Sequence, residues 1–107
     1  MAKVGQQKEK DFDAIEPRIS FCDMIEERKT QCVDICREAY KQMHDGELKY
    51  YKDMALYIKT EVEKKKENSG SWHVVVGTNF GSFVTYEHKS MILFWLEHIG
   101  FLLFKHG

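Results

Sequence analysis

Apolar residues recur at helical spacing in two stretches of the chain. Along residues 24–43 and again along 48–62, one side of each predicted helix is apolar and the opposite side is charged. Asp23 is predicted to cap the first helix, with Glu26 following at the spacing of a capping box. Each helix therefore has one apolar face that must pack against another element.

Strand patterns flank this helical region. Residues 18–22 precede it, and residues 72–76, 80–87, 91–97 and 99–105 follow it as short runs of β-branched and aromatic residues between turns. The order β-α-α-β-β-β-β predicts an α+β fold in which two helices pack on an antiparallel β-sheet, with the last four strands forming a meander. The two final strands are apolar on both faces, and two helices cover only one face. A second copy of the chain is predicted to cover the other face, as a homodimer.

The predicted strand at residues 80–87 differs from its neighbours. Both of its faces mix small, polar and aromatic residues, and Gly81 allows another backbone to come close. A strand in the centre of a sheet would be more apolar. This composition is typical of a sheet edge, where unpaired backbone groups can accept a strand from a partner.

The remaining sequence bounds the domain and its surroundings. Residues 1–15 are polar and lysine-rich without periodicity, which predicts a disordered N-terminal arm, and residues 16–107 are predicted to form a single domain. No signal-peptide pattern is present, and no apolar run approaches the roughly 20 residues that a membrane span needs. An intracellular protein without membrane contact is expected.

The charge balance argues against nucleic acid as a partner. Sixteen Lys and Arg residues face seventeen Asp and Glu residues, so no net field attracts a polyanion. The lysine run at residues 63–67 is interrupted by acids and lacks aromatic residues. It is predicted to be a solvated helix end, with a nucleic-acid patch as the alternative.

The cysteines and histidines give no sign of catalysis. Cys22, Cys32 and Cys36 have neither the number nor the spacing of a disulfide framework or a zinc site, although the last two lie one helical turn apart and could form half of a metal site. No nucleophile motif or phosphate loop accompanies them. The sequence therefore predicts a protein that is not an enzyme and has no cofactor, with a Cys/His thiol switch as the alternative.

The second half of the chain carries a specific motif. Residues 72–85 read WHVVVGTNFGSFVT and the chain ends in LLFKHG, while Lys52-Asp53-x-Ala55 and, more loosely, Asp23-Met24-x-Glu26-Glu27 precede them. This combination resembles the hub dynein light chain family (dynein light chain type 1/2). The resemblance implies a strand-exchanged homodimer in which residues 80–87 cross to the partner's sheet. Each of two grooves at the interface would bind an extended peptide as an added antiparallel strand.

The resemblance also implies which residues form these surfaces. The implied groove residues are Lys52, Thr78, Asn79, Phe80, Gly81, Ser82, Phe83, Val84, Thr85, Tyr86, Leu93, Trp95 and Gly100, and the implied dimer-interface residues are Lys59, His73, Phe83 and Thr85. Tyr86 replaces a groove histidine of the family, and Leu93 and Trp95 replace two groove tyrosines. A larger and less polar groove is therefore expected.

The function implied by the resemblance is a noncatalytic hub. It would bind short linear motifs of disordered partners, often containing Thr-Gln-Thr, as a light chain of a dynein motor complex in the cytoplasm at the cytoskeleton. Peptides like those of the dynein intermediate chain are the expected partners, together with other linear-motif proteins. The alternatives are a specialised structural or axonemal subunit that does not exchange ligands, located in the cilium.

Overall fold

The computed structural model describes residues 10–107 and contains two helices and four strands. In chain order the elements are β1 (Arg18–Asp23), α1 (Glu26–His44), α2 (Tyr51–Glu63), β2 (Trp72–Gly77), β3 (Met91–Leu96) and β4 (Ile99–Lys105). Short 3₁₀ turns at Phe12–Ala14 and Lys66–Asn68 complete the set. The predicted fold class, two helices on an antiparallel sheet, is confirmed.

The sheet has the strand order β1-β3-β4-β2, and every neighbouring pair is antiparallel. β3 and β4 form a hairpin whose two-residue link, Glu97-His98, places Glu97 at a φ of 57°. β2 pairs with β4 from Trp72↔Lys105 to Gly77↔Gly100. The predicted meander is therefore wrong, because β2 and β3 run parallel on opposite sides of β4. The connecting chain must return along the whole length of the sheet before β3 can begin.

This connection contains the predicted strand at residues 80–87, which has no ladder partner among residues 10–107 of the protomer. We call residues 78–87 the return segment. β4, to which it runs parallel, already has a neighbour on each side, so no position beside β4 is free. The backbone hydrogen bond recorded for the segment joins the Glu87 N–H to the Lys105 carbonyl at 2.9 Å. A ladder for this segment would have to come from outside the described part of the protomer.

The core lies between the helices and one face of the sheet. Trp72, Phe94 and Phe101 are fully buried on the sheet side, and Met54 and Ile58 of α2 are fully buried opposite them. Residues on a strand alternate between the two faces, so burial follows that period along β3. Both helices cover the same face, and no other helix of the described residues covers the opposite face of the sheet.

The starts of both helices differ from the sequence prediction. α1 begins at Glu26 after Ile25, and Asp23 does not cap it, because the ladder of β1 with β3 holds Asp23 beside the loop that precedes β3. The Asp23 carboxylate accepts the Lys89 N–H there at 3.3 Å. α2 begins at Tyr51 rather than near Leu48, with the Asp53 carboxylate accepting the Tyr50 N–H at 3.1 Å.

Residues 10–15, which we call the strap, pack against α1. Phe12 is only 8% exposed, and its ring meets the Tyr40 ring edge-on with the centroids 5.1 Å apart. Arg37 donates to the Ile15 carbonyl at 2.8 Å. The predicted disordered arm covers residues 1–15, and its described part is ordered by these contacts, while residues 1–9 lie outside the described residues.

A polar cluster fastens the strap to the β3–β4 hairpin. The Lys10 ammonium pairs with the Glu97 carboxylate at 2.5 Å, and the Tyr40 hydroxyl donates to the same carboxylate oxygen at 2.6 Å. The hydrogen bond from Lys10, followed by that from Tyr40, lowers the pKa of Glu97 below its usual range. The pKa of Lys10 is raised, mainly by its hydrogen bond to Glu97.

Acid is expected to release the strap. A carboxyl group with a lowered pKa in the folded state contributes stability above its ordinary value near 4.5 and loses that contribution as the pH falls. The protection factors of residues 10–15 against amide hydrogen exchange, taken relative to the intrinsic rate at each pH, should therefore fall below about pH 4.5. Glu97→Gln should remove this loss of protection with falling pH; protection that still falls with the parent profile would mean that Glu97 is not the group that holds the strap.

Candidate interaction surface

The sheet face opposite the helices is apolar and only partly covered. We call it the open face, and its residues are His73, Val75, Leu93, Trp95, Leu102 and Phe104. Val75 is 40% exposed, whereas Leu102 in the middle of the face is 1% exposed. The return segment and this face together line a depression of about 690 Å³ that includes Phe80, Phe83 and Phe104. Apolar surface of this kind marks an interaction site more often than a solvated one.

The return segment presents its side chains alternately. Phe80, Val84 and Tyr86 are half-buried, while Thr78, Asn79, Gly81, Ser82 and Thr85 are exposed. Phe83 is the extreme case, because its side chain is fully exposed. A single exposed aromatic residue is common, but here it lies on a segment that has the composition of a strand and no ladder partner among the described residues.

Trp95 is fixed at one end of the open face. The Phe80 ring stacks on it with the centroids 5.9 Å apart and the planes 15° from parallel, and the Arg18 guanidinium lies 5.5 Å from the ring. Gly100 is its cross-strand partner. A Cβ atom at Gly100 would lie 2.7 Å from Cζ3 of Trp95, so only glycine leaves room for the ring.

Gly100→Ala is expected to destabilise the fold by about 1–3 kcal/mol, because the added methyl group overlaps the Trp95 ring. Chemical denaturation of the variant measures this change. In a Trp95→Val background the ring is absent and the cost of alanine at residue 100 should largely disappear. An equal cost in both backgrounds would contradict the proposed overlap.

The outer edge of β2 is open beyond its first residue. The backbone N–H of Trp72 donates to the Glu63 carboxylate at 2.9 Å, and the Trp72 carbonyl accepts a hydrogen bond from the Lys59 ammonium at 2.6 Å. Both backbone groups of a residue in an antiparallel ladder point the same way, and the direction alternates along the strand. The backbone N–H and C=O groups of Val74 and Val76 therefore also point away from β4. None of the described residues forms a hydrogen bond with these outward groups. Lys59, an implied interface residue, lies at this edge.

Lys59 and Glu63 fix the start of this edge. Their side chains pair at 2.6 Å, one helical turn apart on α2. The hydrogen bond from Lys59, followed by that from the Trp72 N–H, lowers the pKa of Glu63. The pair therefore satisfies both outward groups of Trp72, and the unpaired part of the edge begins at Val74.

His73, the other implied interface residue in β2, lies on the open face. Its ring stacks on Phe104 with the centroids 4.9 Å apart and lies 3.0 Å, through Nε2, from the His106 carbonyl. Because a carbonyl oxygen only accepts, Nε2 must carry the proton in this contact. His73 is exposed in the single chain.

The structure brings some of the implied groove residues together and leaves one apart. Phe80, Trp95 and Gly100 are in contact, while Lys52 lies in the first turn of α2 with its ammonium 5.8 Å from the Tyr50 ring. Two further aromatic contacts were not predicted from the sequence. Phe21 is 44% exposed and meets Tyr86 edge-on at 6.1 Å, and Arg18 covers Trp95. The cross-strand pairing of Arg18 with Trp95 would have pointed to the second contact, but the register becomes known only from the fold.

The thiols have the properties of packing residues. Burial raises the pKa of Cys32 to about 12 and that of Cys36 well above its usual range. Both thiols therefore stay protonated at neutral pH, whereas a nucleophile or metal ligand needs the thiolate. Residues 10–107 contain no group of three or more His, Cys, Asp or Glu side chains placed to hold a metal ion. Within the same residues, neither helix has the length and apolar character to cross a membrane.

The fold is shared with solved structures of a dynein light chain-like domain. The native form of that domain from the Fasciola hepatica calcium binding protein FhCaBP2 superposes with a TM-score of 0.70 at 17% identity, covering 94% of this chain and all of that one. Its mercury derivative gives a TM-score of 0.68 at 16% identity, over 85% of this chain and 92% of that one. The chain therefore has the dynein light chain-like fold.

Sequence comparison narrows this fold to a family. The sequence model of the family described as dynein light chain type 1 matches residues 16–106. The chain is also 44% identical over 93 residues to the cytoplasmic dynein light chain of Emericella nidulans, covering 87% of this chain and 92% of that protein. The chain belongs to the dynein light chain type 1 family, which confirms the resemblance found in the sequence and supports a dynein light chain role.

Proposed function

We propose that the protein is a noncatalytic homodimer that binds short linear motifs of disordered proteins by strand addition, as a light chain of a dynein complex in the cytoplasm at the cytoskeleton. The observation that carries the proposal is the pairing of two incomplete features in one protomer. The return segment has the composition of a strand but no ladder within the described chain, and β2 has no neighbouring strand on its outer edge. In a dimer, the return segment of each copy can pair with the outer edge of β2 of the other copy.

The open face supports dimerisation on energetic grounds. Stable interfaces bury an apolar centre surrounded by a polar rim. Val75 and Phe104 would supply the centre, with Phe83 of the second copy packed against them, and the exposed Thr85 and His73 would lie around it. Burying apolar surface contributes roughly 25 cal/mol per Å² before the costs of association.

A peptide groove follows from the same arrangement. Once one edge of the return segment pairs with β2 of the second copy, its other edge is free to accept a ligand strand. Phe80, Ser82, Val84 and Tyr86 would then supply side-chain preferences, with Leu93, Trp95 and Gly100 beneath them. Lys52 and the start of α2 of the other protomer would form the far wall, along Thr78, Asn79 and Gly81.

Two identical grooves on one dimer suit a hub. A bivalent partner gains up to roughly 10²–10⁴ in avidity over one site, provided that the spacing between its motifs fits. Motifs with Thr-Gln-Thr, as in dynein intermediate chain-like peptides, are the first candidates. A structural or axonemal subunit that does not exchange ligands has the same dimer and differs only in having permanently filled grooves.

Sedimentation equilibrium at neutral pH tests the dimer directly. A dimer at micromolar concentration is expected, because the return segment and the open face have no other cover in the described chain. A folded monomer at that concentration would contradict the proposal.

A further inference from the structure

The C-terminal end of the return segment is firmly anchored. The backbone N–H of Lys105 donates to the Ser90 carbonyl at 3.0 Å, and the Lys105 carbonyl accepts the Glu87 N–H at 2.9 Å. The Asp23 carboxylate accepts the Lys89 N–H at 3.3 Å. Lys89 itself has a φ of 60°, a left-handed conformation that residues other than glycine rarely adopt. A conformation of this kind persists only where neighbouring contacts hold it.

Arg28 of α1 makes the most extensive of these contacts. Its Nη1 donates at 3.0 Å both to the Lys89 carbonyl and to the Ser90 hydroxyl. Its Nε donates to the Asn68 side-chain oxygen at 2.8 Å and its Nη2 to the Glu67 carbonyl at 2.6 Å. The planar guanidinium thus joins the loop that ends the return segment to the loop that precedes β2.

The second of these loops is fixed to the start of β2. Asn68 is fully buried and donates to the Val62 carbonyl at 3.2 Å, while the Trp72 indole donates to the Asn68 carbonyl at 2.8 Å. Arg28 also lies over the Trp72 ring, 5.4 Å from its centre. The Arg28 side chain is therefore bonded both to the loop that ends the return segment and to the loop that leads into β2. In the proposed dimer, the outer edge of β2 receives the return segment of the second copy.

The opposite end of the return segment has no such anchor. Residues 78–86 make no recorded backbone hydrogen bond within the described chain, and the stack of Phe80 on Trp95 holds that end instead. The direction of the segment is thus set mainly at residues 87–90. A segment that is ordered before association loses less conformational entropy when it pairs.

We propose that Arg28 is a positioning residue for strand exchange, aligning the return segment with the β2 edge of the second copy. The inference rests on the proposed dimer. Lysine cannot take this role, since its ammonium is a compact charge on a flexible stem, whereas four acceptors around Arg28 are arranged for a planar fork.

The test compares dimer dissociation constants by sedimentation equilibrium. Arg28→Lys keeps the charge and is expected to raise the dissociation constant about tenfold or more, because ordering of the segment is deferred to association. Arg37→Gln is the matched control, since Arg37 also lies on α1 and bonds a backbone carbonyl, that of Ile15, away from the return segment. The control should change the constant by no more than about twofold.

A second variant separates positioning from general stability. Ser90→Ala removes one acceptor of Arg28 and should weaken the dimer in the parent chain but not further in the Arg28→Lys chain. Faster amide exchange at residues 87–90 should accompany both changes. A dissociation constant unchanged by Arg28→Lys, or effects of the two substitutions that simply add, would overturn the role of Arg28 while leaving the dimer intact. A monomeric parent chain would instead contradict the proposed function itself.

Discussion

Phe83→Ser is expected to convert the dimer into a folded monomer. The side chain is fully exposed in the single chain, so its removal costs the protomer no packing. In the proposed dimer it packs on the open face of the second copy. Truncating a central aromatic residue of an interface typically costs about 2–4 kcal/mol. Two such side chains are lost per dimer, and each 1.4 kcal/mol is a tenfold change in the dissociation constant, so a loss of roughly 10³-fold or more is expected.

Leu56→Ser is the matched control for this prediction. Leu56 is also a large exposed apolar residue, at 65% exposure, but it lies on α2 and not on the return segment. Sedimentation should show a monomer for Phe83→Ser and a dimer for Leu56→Ser, with parent-like circular dichroism for both. Equal sedimentation of the two variants would mean that Phe83 is not in the interface.

Val74→Pro is expected to abolish dimerisation while leaving the protomer folded. The Val74 N–H points away from β4, so a proline there removes a donor that the single chain does not use. Proline is tolerated at such edge positions of a sheet. Its ring also blocks the approach of another backbone at the centre of the edge. The lost backbone hydrogen bonds, one set per copy, should raise the dissociation constant by at least about 100-fold.

Val75→Pro is instead expected to destabilise the fold of the protomer, because the Val75 N–H points towards Leu102 in the β2–β4 ladder. A proline at this position leaves a buried carbonyl of β4 unpaired, which costs about 1–3 kcal/mol of folding stability. Denaturant unfolding of the two variants measures the difference. If Val74→Pro is the less stable of the two, or remains dimeric, the assignment of the open edge is wrong.

Periodicity alone predicted the local elements well. The apolar stripes of the two helices correspond to α1 and α2, and four of the five short β-rich runs correspond to β1 through β4. The fifth run, residues 80–87, has no ladder in the described chain. These patterns are local, because every helix or strand must turn one face towards the core. The specific motif from Trp72 to Thr85 then predicted the family, because its residues fix a particular turn and edge rather than a generic strand.

Features that depend on distant contacts were not predictable in this way. The pairing of β2 with β4 joins residues about 30 positions apart, and a pattern of alternation does not say which strand is the neighbour. The strap was predicted to be disordered because its composition is polar, yet the burial of Phe12 and the Lys10–Glu97 pair order it. Asp23 has the residue type of a helix cap but bonds Lys89 instead.

The candidate site was predictable to a similar degree. Phe83 was named from the family motif, and composition assigned a sheet edge to residues 80–87 and not to β2. Arg28 looked like one of several charges on the outer side of α1. Its role depends on two loops that only the fold brings beside it. A guanidinium with four acceptors is recognised from the structure alone.

The central claim, that two symmetric grooves bind linear motifs, is tested most directly by titrating a Thr-Gln-Thr peptide into the parent chain by calorimetry. The account predicts saturation at two peptides per dimer, with weak affinity for each site because ordering a disordered peptide costs about 2–5 kcal/mol. The same peptide should not bind the monomeric Phe83→Ser chain, whose grooves lack the second protomer. Undiminished binding to that monomer, or no binding to the parent dimer, would contradict the account.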